Sequence, residues 1–178
     1  MKNILLTGRP GIGKTTLINE SVHRIREAGI QIGGISTREI RSGKIRKGFM
    51  IRDIESGRGA IMASTDFKEG PLIGRYRIDI SALVDVGVTA IRTAIEEADV
   101  VVIDEIGPME LLSPEMSKII LRAVESNKPV LGVIHWKKRG RLIHAILSNP
   151  ETKVIEVRHD NRDSLVSEIV DDVLGVVI

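Results

Sequence analysis

At 178 residues the chain is the size of one ordinary domain with a core of its own. It has no cysteine, hence no disulfide or thiolate–metal site, and no apolar run approaches the roughly 18 residues that a membrane span needs. Its 26 basic and 24 acidic residues leave a net charge of +2, which excludes a surface that is basic throughout. The aromatic residues are Phe49, Phe67, Tyr76 and Trp136 alone, which argues against base-stacking platforms for single-stranded nucleic acid and leaves the core to Ile, Val, Leu and Ala. A single glutamine, Gln31, and a charged fraction of 28% suit a thermophile's protein. Residues 1–7 read as a first strand rather than a signal peptide, so a cytoplasmic protein is expected.

Residues 3–7 form a short apolar run ending at Gly8, as a buried parallel strand does. A glycine-rich stretch over 8–13 leads into a helix. In it Leu17, Ile18, Val22, Ile25 and Ala28 recur at helical spacing, and Gly29 is the C-cap. Residues 31–63 read as a β-meander, with strands over 30–40, 45–54 and 59–63 and turns over 41–44 and 55–58. Residues 64–78 show no clear periodicity. Ser81 opens a helix that places Val84, Val88, Ile91 and Ile95 on one face. A second fully buried strand over 99–104 stops at acids. Ser113 and Pro114 then start a helix as N-cap and first residue. A strand over 129–134, a helix over 139–147, a strand over 153–157 and a helix over 162–174 complete the chain; Asn161 is expected to cap the last helix, and its amide can also read a base edge. This alternation predicts an α/β fold: one domain over 1–178, a mainly parallel sheet with helices on both faces, and the meander inserted.

Gly8, Arg9, Pro10, Gly11, Ile12, Gly13, Lys14 and Thr15 satisfy G-x-x-x-x-G-K-[ST] at every fixed position, between an apolar strand and an amphipathic helix. Backbone N–H groups can wrap clustered phosphate charge only where side chains stay clear, as Gly8, Gly11 and Gly13 allow. The helix beginning near Lys14 points its positive end at the phosphates. Lys14 can reach the β- and γ-phosphates, the Thr15 hydroxyl suits Mg²⁺, and Thr16 suits the α-phosphate.

Residues 100–103 deliver Asp104 and Glu105 to the C-terminal edge of the sheet, where ligands bind in such folds. Asp104 suits Mg²⁺ held through a water, and Glu105 suits the polarising of a water for attack on the γ-phosphorus. Glu110 reads more readily as a solvated loop residue than as another acid of the site. Residues 36–60 carry Arg38, Arg41, Lys44, Arg46, Lys47, Arg52 and Arg58 against Glu39, Asp53 and Glu55, a local excess of +4. Arg38 or Arg46 can meet developing phosphate charge, although each alone is more simply a solvated guard of an edge strand. Trp136, in the basic run over 135–141, can stack on a base but is more simply packing, with Lys137, Lys138, Arg139 and Arg141 as a solvated helix start.

With these motifs in place the chain resembles the small nucleoside-triphosphatase family first described from thermophiles, also called the cancer-related nucleoside-triphosphatase family. The resemblance covers nearly the whole chain. It rests on residues 8–16, on Gly34-Ile35-Ser36-Thr37-Arg38-Glu39-Ile40-Arg41 leading to Lys47-Gly48-Phe49, and on Gly74-Arg75-Tyr76. It continues with Val102-Ile103-Asp104-Glu105-Ile106-Gly107-Pro108-Met109-Glu110-Leu111 and, more loosely, Asp160-Asn161-Arg162-Asp163. Arg38 and Glu110 fall inside these segments, which favours a role for each; His135 and Trp136 fall outside them.

The resemblance implies a RecA-like P-loop core with another strand between those carrying the two motifs. It also implies Mg²⁺-dependent hydrolysis of ATP, GTP, CTP and UTP to diphosphates with poor base discrimination. The site it implies has Lys14, Glu105 and Arg38 as catalytic groups. Gly8, Arg9, Pro10, Gly11, Ile12, Gly13, Lys14, Thr15, Thr16, Asp104, Glu105 and Gly107 lie at the nucleotide, and Thr15 and Asp104 hold Mg²⁺. Two alternatives use the same site: a kinase acting on a nucleoside or a polynucleotide end, and a nucleotide-gated binding module. A nucleoside triphosphate is the expected partner. Contact with RNA or DNA is open but not predicted, no membrane partner is expected, and a monomer is slightly favoured.

Overall fold

Unbroken apolar strands are stable only where both faces of their sheet are covered, and the core of this protein is built on that rule. The structure, a computed structural model, describes residues 1–137 and 140–177. The first half of the chain folds as β1 (Asn3–Thr7), α1 (Lys14–Glu27), β2 (Ile32–Ser42), β3 (Ile45–Asp53), β4 (Gly59–Ser64), β5 (Leu72–Ile73) and β6 (Tyr76–Ile78). Then come α2 (Ile80–Ala82), a π-helical turn (Leu83–Val88), α3 (Thr89–Glu97), β7 (Val100–Ile106), a 3-10 turn (Glu110–Leu112) and α4 (Pro114–Glu125). The chain closes with β8 (Val130–Ile134), α5 (Arg141–Ser148), β9 (Thr152–Glu156) and α6 (Arg162–Val177).

Among the described residues these strands form one sheet in the order β5-β6-β4-β3-β2-β7-β8-β1-β9. β2, β7, β8, β1 and β9 run parallel, and the remaining pairings are antiparallel. Successive side chains alternate between the faces. Val100, Val102, Ile4 and Leu6 pack under α1 and α6 with Leu17, Ile18, Ile25, Leu165 and Ile169. Val101, Ile103 and Leu5 pack on the other face with Leu83, Ile91, Ile120 and Ile143. The α/β class, the mainly parallel core and the strand between the two motif strands all stand as expected, since β8 separates β1 from β7.

β2 serves two partners. Its first residues, Ile32 to Ser36, pair in parallel with Val100 to Asp104, while Ile35 to Ser42 pair antiparallel with β3. The meander therefore grows out of a core strand instead of being inserted beside the core. Residues 64–78, without periodicity, nevertheless hold β5 and β6; strands of two or three residues are too short to alternate and exist through their partners.

The helix expected from Ser81 starts earlier, because the Asp79 carboxylate caps it by accepting from Ser81 N–H at 2.9 Å and Ala82 N–H at 3.2 Å. Asn161 does not cap α6 with its side chain. Its Oδ1 accepts from Arg158 N–H and its Nδ2 donates to Glu156 O, which ties down the loop behind the helix. Lys138 and Arg139, part of the expected basic run and helix start, lie outside the described residues.

Gly34 shows how closely β2 and β7 approach. Its φ is +116°, and a Cβ there would lie 2.1 Å from Val102 O. Gly34→Ala should destabilise the protein by about 3 kcal/mol or more in urea unfolding, because strain and a backbone clash add. At Gly43, with φ +58° and nothing within 4 Å of a Cβ, the same change should cost only about 1 kcal/mol.

Candidate active site

The C-terminal ends of β1 and β7 come to the same level because β8 aligns them. Leu5 and Ile103 both pair with Gly132. The glycine loop leaves β1 at Gly8 and enters α1 through Gly13, whose φ of +106° only glycine adopts without strain. Gly13 is the N-cap and no side chain caps the helix, so its first N–H groups face the loop's open side. Ile12 is buried in the core under α1, which anchors the loop, whereas Arg9, Pro10, Gly11, Thr15 and Thr16 are exposed. Lys14 folds back over the loop and donates to Gly8 O at 2.9 Å and Arg9 O at 3.1 Å.

Asp104 ends the face of β7 that packs under α1 and meets Thr15 there, Oγ1 to Oδ1 at 3.5 Å, long for a hydrogen bond between oxygens. Asp104 is 1% exposed and its Oδ2 has no hydrogen-bond partner. A buried, unpaired carboxylate oxygen beside a hydroxyl is a donor set that fits a hard divalent cation. Burial, and then the like charge of Glu105, push the Asp104 carboxyl up to about 7 against the pull of Thr15 and Lys14. Burial also raises Glu105, while His135 and Lys14 pull it down.

Glu110 departs from the solvated reading. It is 4% exposed, and its Oε2 accepts from Gly107 N–H at 3.1 Å. Burial pushes its carboxyl up to about 8, with Glu105 and Asp104 adding like charge and backbone N–H groups opposing. That bond also occupies the Gly107 N–H, so this residue, expected at the nucleotide, offers no free donor to a phosphate oxygen.

The arginines separate. Ser36 is the β2 partner of Asp104, so the exposed Arg38, two residues on and paired with Met50, lies just beyond the β2–β7 pairing on the same face as Asp104. Arg46 is not near the loop. It sits beside the turn between β2 and β3, paired with Glu39, with its guanidinium 5.5 Å from the Phe49 ring centre. Arg41 also pairs with Glu39, and Lys47 faces Asp66 at 3.7 Å. Arg41, Arg46 and Lys47 are thus engaged inside and beside the meander, although Asp66 is the one partner not already counted in the +4.

Trp136 is 46% exposed rather than packed, with the Lys137 Nζ 5.6 Å from its ring centre. His135 begins the loop after β8 and borders a cleft of about 340 Å³ whose walls include Ile106, Pro108, Leu111, Lys137 and Ile143. The charge of His135 on Glu105 was not legible in sequence; only the position of β8 between the motif strands points to it.

A glycine loop between a parallel strand and a helix, with an acidic strand end two strands away, defines a P-loop nucleotide-binding protein of the α/β class. A family model described as NTPase matches residues 3–170. The nucleoside-triphosphatase THEP1 of Thermofilum pendens is 43% identical over 178 residues, covering 99% of this chain and 97% of that protein. The THEP1 of Thermotoga maritima is 36% identical, covering 93% and 92%. The crystal structure of THEP1 from Aquifex aeolicus superposes with a TM-score of 0.85 at 31% identity, covering 95% of this chain and 97% of that one. The solution structure of a human cancer-related nucleoside triphosphatase gives 0.83 at 29%, covering 98% of each. The chain belongs to the NTPase family.

A carboxyl whose folded pKa is about 8 instead of the ordinary 4.5 keeps its proton in the folded state where the unfolded chain has lost it. Folded protein then binds more protons, and stability falls as pH rises from the ordinary value through about 8. Glu110→Gln removes this titration. In urea unfolding with chelator, the variant should lose less stability than wild type between about pH 5 and about pH 9.

Proposed function

We propose that the protein hydrolyses nucleoside 5′-triphosphates to the diphosphate and phosphate, with Mg²⁺ and with weak preference among bases, residues 1–178 acting as one P-loop domain. The observation that carries this reading is the meeting of Thr15 and Asp104 at 3.5 Å, which brings the phosphate loop and the acidic strand end into one site. Mg²⁺ held by Thr15 and Asp104 would neutralise charge on the β- and γ-phosphate oxygens.

The chain's own groups supply the rest. The loop N–H groups and the N-terminus of α1 bind the phosphates, with Gly8, Gly11 and Gly13 leaving the backbone accessible. Lys14 exchanges its two loop carbonyls for phosphate oxygens and stabilises charge as the bond from the γ-phosphorus to the bridging oxygen breaks. Glu105, its affinity for protons raised by burial, orients the attacking water and takes its proton. Arg38, on the Asp104 face of β2, meets charge developing on the γ-phosphoryl group. Thr16 touches the α-phosphate. All these groups address phosphate, water or metal. The Asn161 amide, the other candidate for reading a base, is engaged by Arg158 and Glu156 within its own loop.

Incubation with each γ-labelled nucleoside triphosphate and Mg²⁺ should release free phosphate without any acceptor, at rates within about tenfold across bases, and chelator should abolish release. Label appearing only on an added nucleoside or RNA would instead identify a kinase. Lys14→Ala should lower kcat/KM by about a hundredfold or more. Glu105→Gln should preserve binding of a non-hydrolysable analogue in calorimetry and lower kcat by about a hundredfold. Wild-type kcat in that variant would remove Glu105 from its role.

A further inference from the structure

Among the described residues Glu105 has no ladder partner on either side. On the β2 side the last pair is Ser36 with Asp104. On the β8 side the pairing breaks after Ile103–Gly132 and resumes at Ile106–Ile134. Its neighbours Asp104 and Ile106 are paired, and the turn that follows adds a further hold on this backbone. Gly107 N–H donates to the buried Glu110 carboxyl at 3.1 Å, and Leu111 N–H donates to Gly107 O at 3.1 Å, so the turn is closed from both sides.

Gly107 is informative as a glycine. Its φ lies outside the left-handed region, so the backbone conformation does not require glycine there. Space is tight instead: a Cβ would lie 3.2 Å from Glu110 Oε2 and 3.3 Å from Glu105 Oε1, so a side chain there would push one or both carboxyl groups aside by a few tenths of an ångström. The two carboxyl groups flank one point, and a methyl group there would crowd both. Burying a carboxyl group is unfavourable, and an apolar side chain would fill the same space more cheaply. Its burial pushes the Glu110 carboxyl up to about 8, which keeps it neutral beside Glu105 at neutral pH.

We propose that Glu110 is a positioning residue for hydrolysis: it anchors the Gly107 turn that aims Glu105 at the attacking water, and Gly107 is glycine to leave room for both carboxyl groups. This rests on the reading of Glu105 as the group that orients water.

The test is steady-state phosphate release by Glu110→Ala, Glu110→Gln and Gly107→Ala, each in the wild-type and Glu105→Gln backgrounds, with circular dichroism to check folding. In the wild-type background, Glu110→Ala and Gly107→Ala should each lower kcat by about tenfold or more with KM within about twofold. Glu110→Gln still offers an oxygen to the Gly107 N–H and should recover most of the rate lost in Glu110→Ala. In the Glu105→Gln background the same two changes should cost less than about twofold, because both act through the group already removed. Equal losses in the two backgrounds, or unchanged kcat in the wild-type background, would overturn the positioning role alone. Should Glu110→Ala fail to fold, Gly107→Ala in the two backgrounds decides the same question. Wild-type kcat in Glu105→Gln by itself overturns the reading of Glu105 and the positioning role with it, an outcome distinct from the others.

Discussion

The contact between Thr15 and Asp104 joins residues 89 positions apart in sequence, and it is where the phosphate loop meets the acidic strand end. No local preference brings the two together. It depends on the parallel register of β1, β8 and β7, in which Leu5, Gly132 and Ile103 lie side by side. Gly132 permits this spacing, since a Cβ there would lie 2.6 Å from Ile103 O. The apolar runs on both faces of these strands lock the register, because a slip of one residue would turn every buried side chain to the wrong face. Core packing and site geometry are therefore one constraint, expressed at two places in the molecule.

That register also concentrates acidic groups, whose burial opposes their ionisation. Asp104, Glu105 and Glu110 gather at one sheet edge, all with carboxyls raised by burial. Lys14 opposes part of this, yet its ammonium is bonded to loop carbonyls rather than to a carboxylate. A triphosphate approaching alone would meet repulsion from the acids as well as attraction from α1 and Lys14. On the proposed reading a divalent cation would reverse the balance, since Asp104 and phosphate oxygens would both attract it. The unfavourable burial of charge is thus localised where a ligand relieves it, as strain at a functional site commonly is.

Much of this was legible in the sequence for a physical reason. Buried parallel strands need unbroken apolar runs, and phosphate loops need glycines at fixed offsets, so residues 3–7, 8–15 and 100–105 declared themselves. What was not legible depends on partners distant in the chain. β5 and β6 are too short for a pattern. The Glu110 burial follows from a turn that folds back on Gly107, and nothing in the local composition distinguishes such a glutamate from a solvated one. Trp136 departs from the packing that large aromatics usually show, because the loop after β8 carries it outward.

The basic excess of the meander shows why counting charges misleads where pairing is unknown. Glu39 engages both Arg41 and Arg46, and Asp66, just outside the counted segment, faces Lys47. Arg75 reaches from the β5–β6 turn to Arg46 O at 2.8 Å, and its guanidinium lies 5.3 Å from the Tyr76 ring centre. Tyr76 meets Phe49 edge to face, with ring centres 5.3 Å apart. Two of the chain's few aromatics are therefore used where β3 and β6 converge, far along the sheet from the phosphate loop. The meander's guanidinium groups largely hold the meander together. What distinguishes Arg38 is register: β2 is the one strand that belongs both to the parallel core and to the meander, and Arg38 follows closely where it leaves β7. A cation placed on that strand moves with the core that carries Asp104, whereas one on β3 or β4 is tied to the core only through β2.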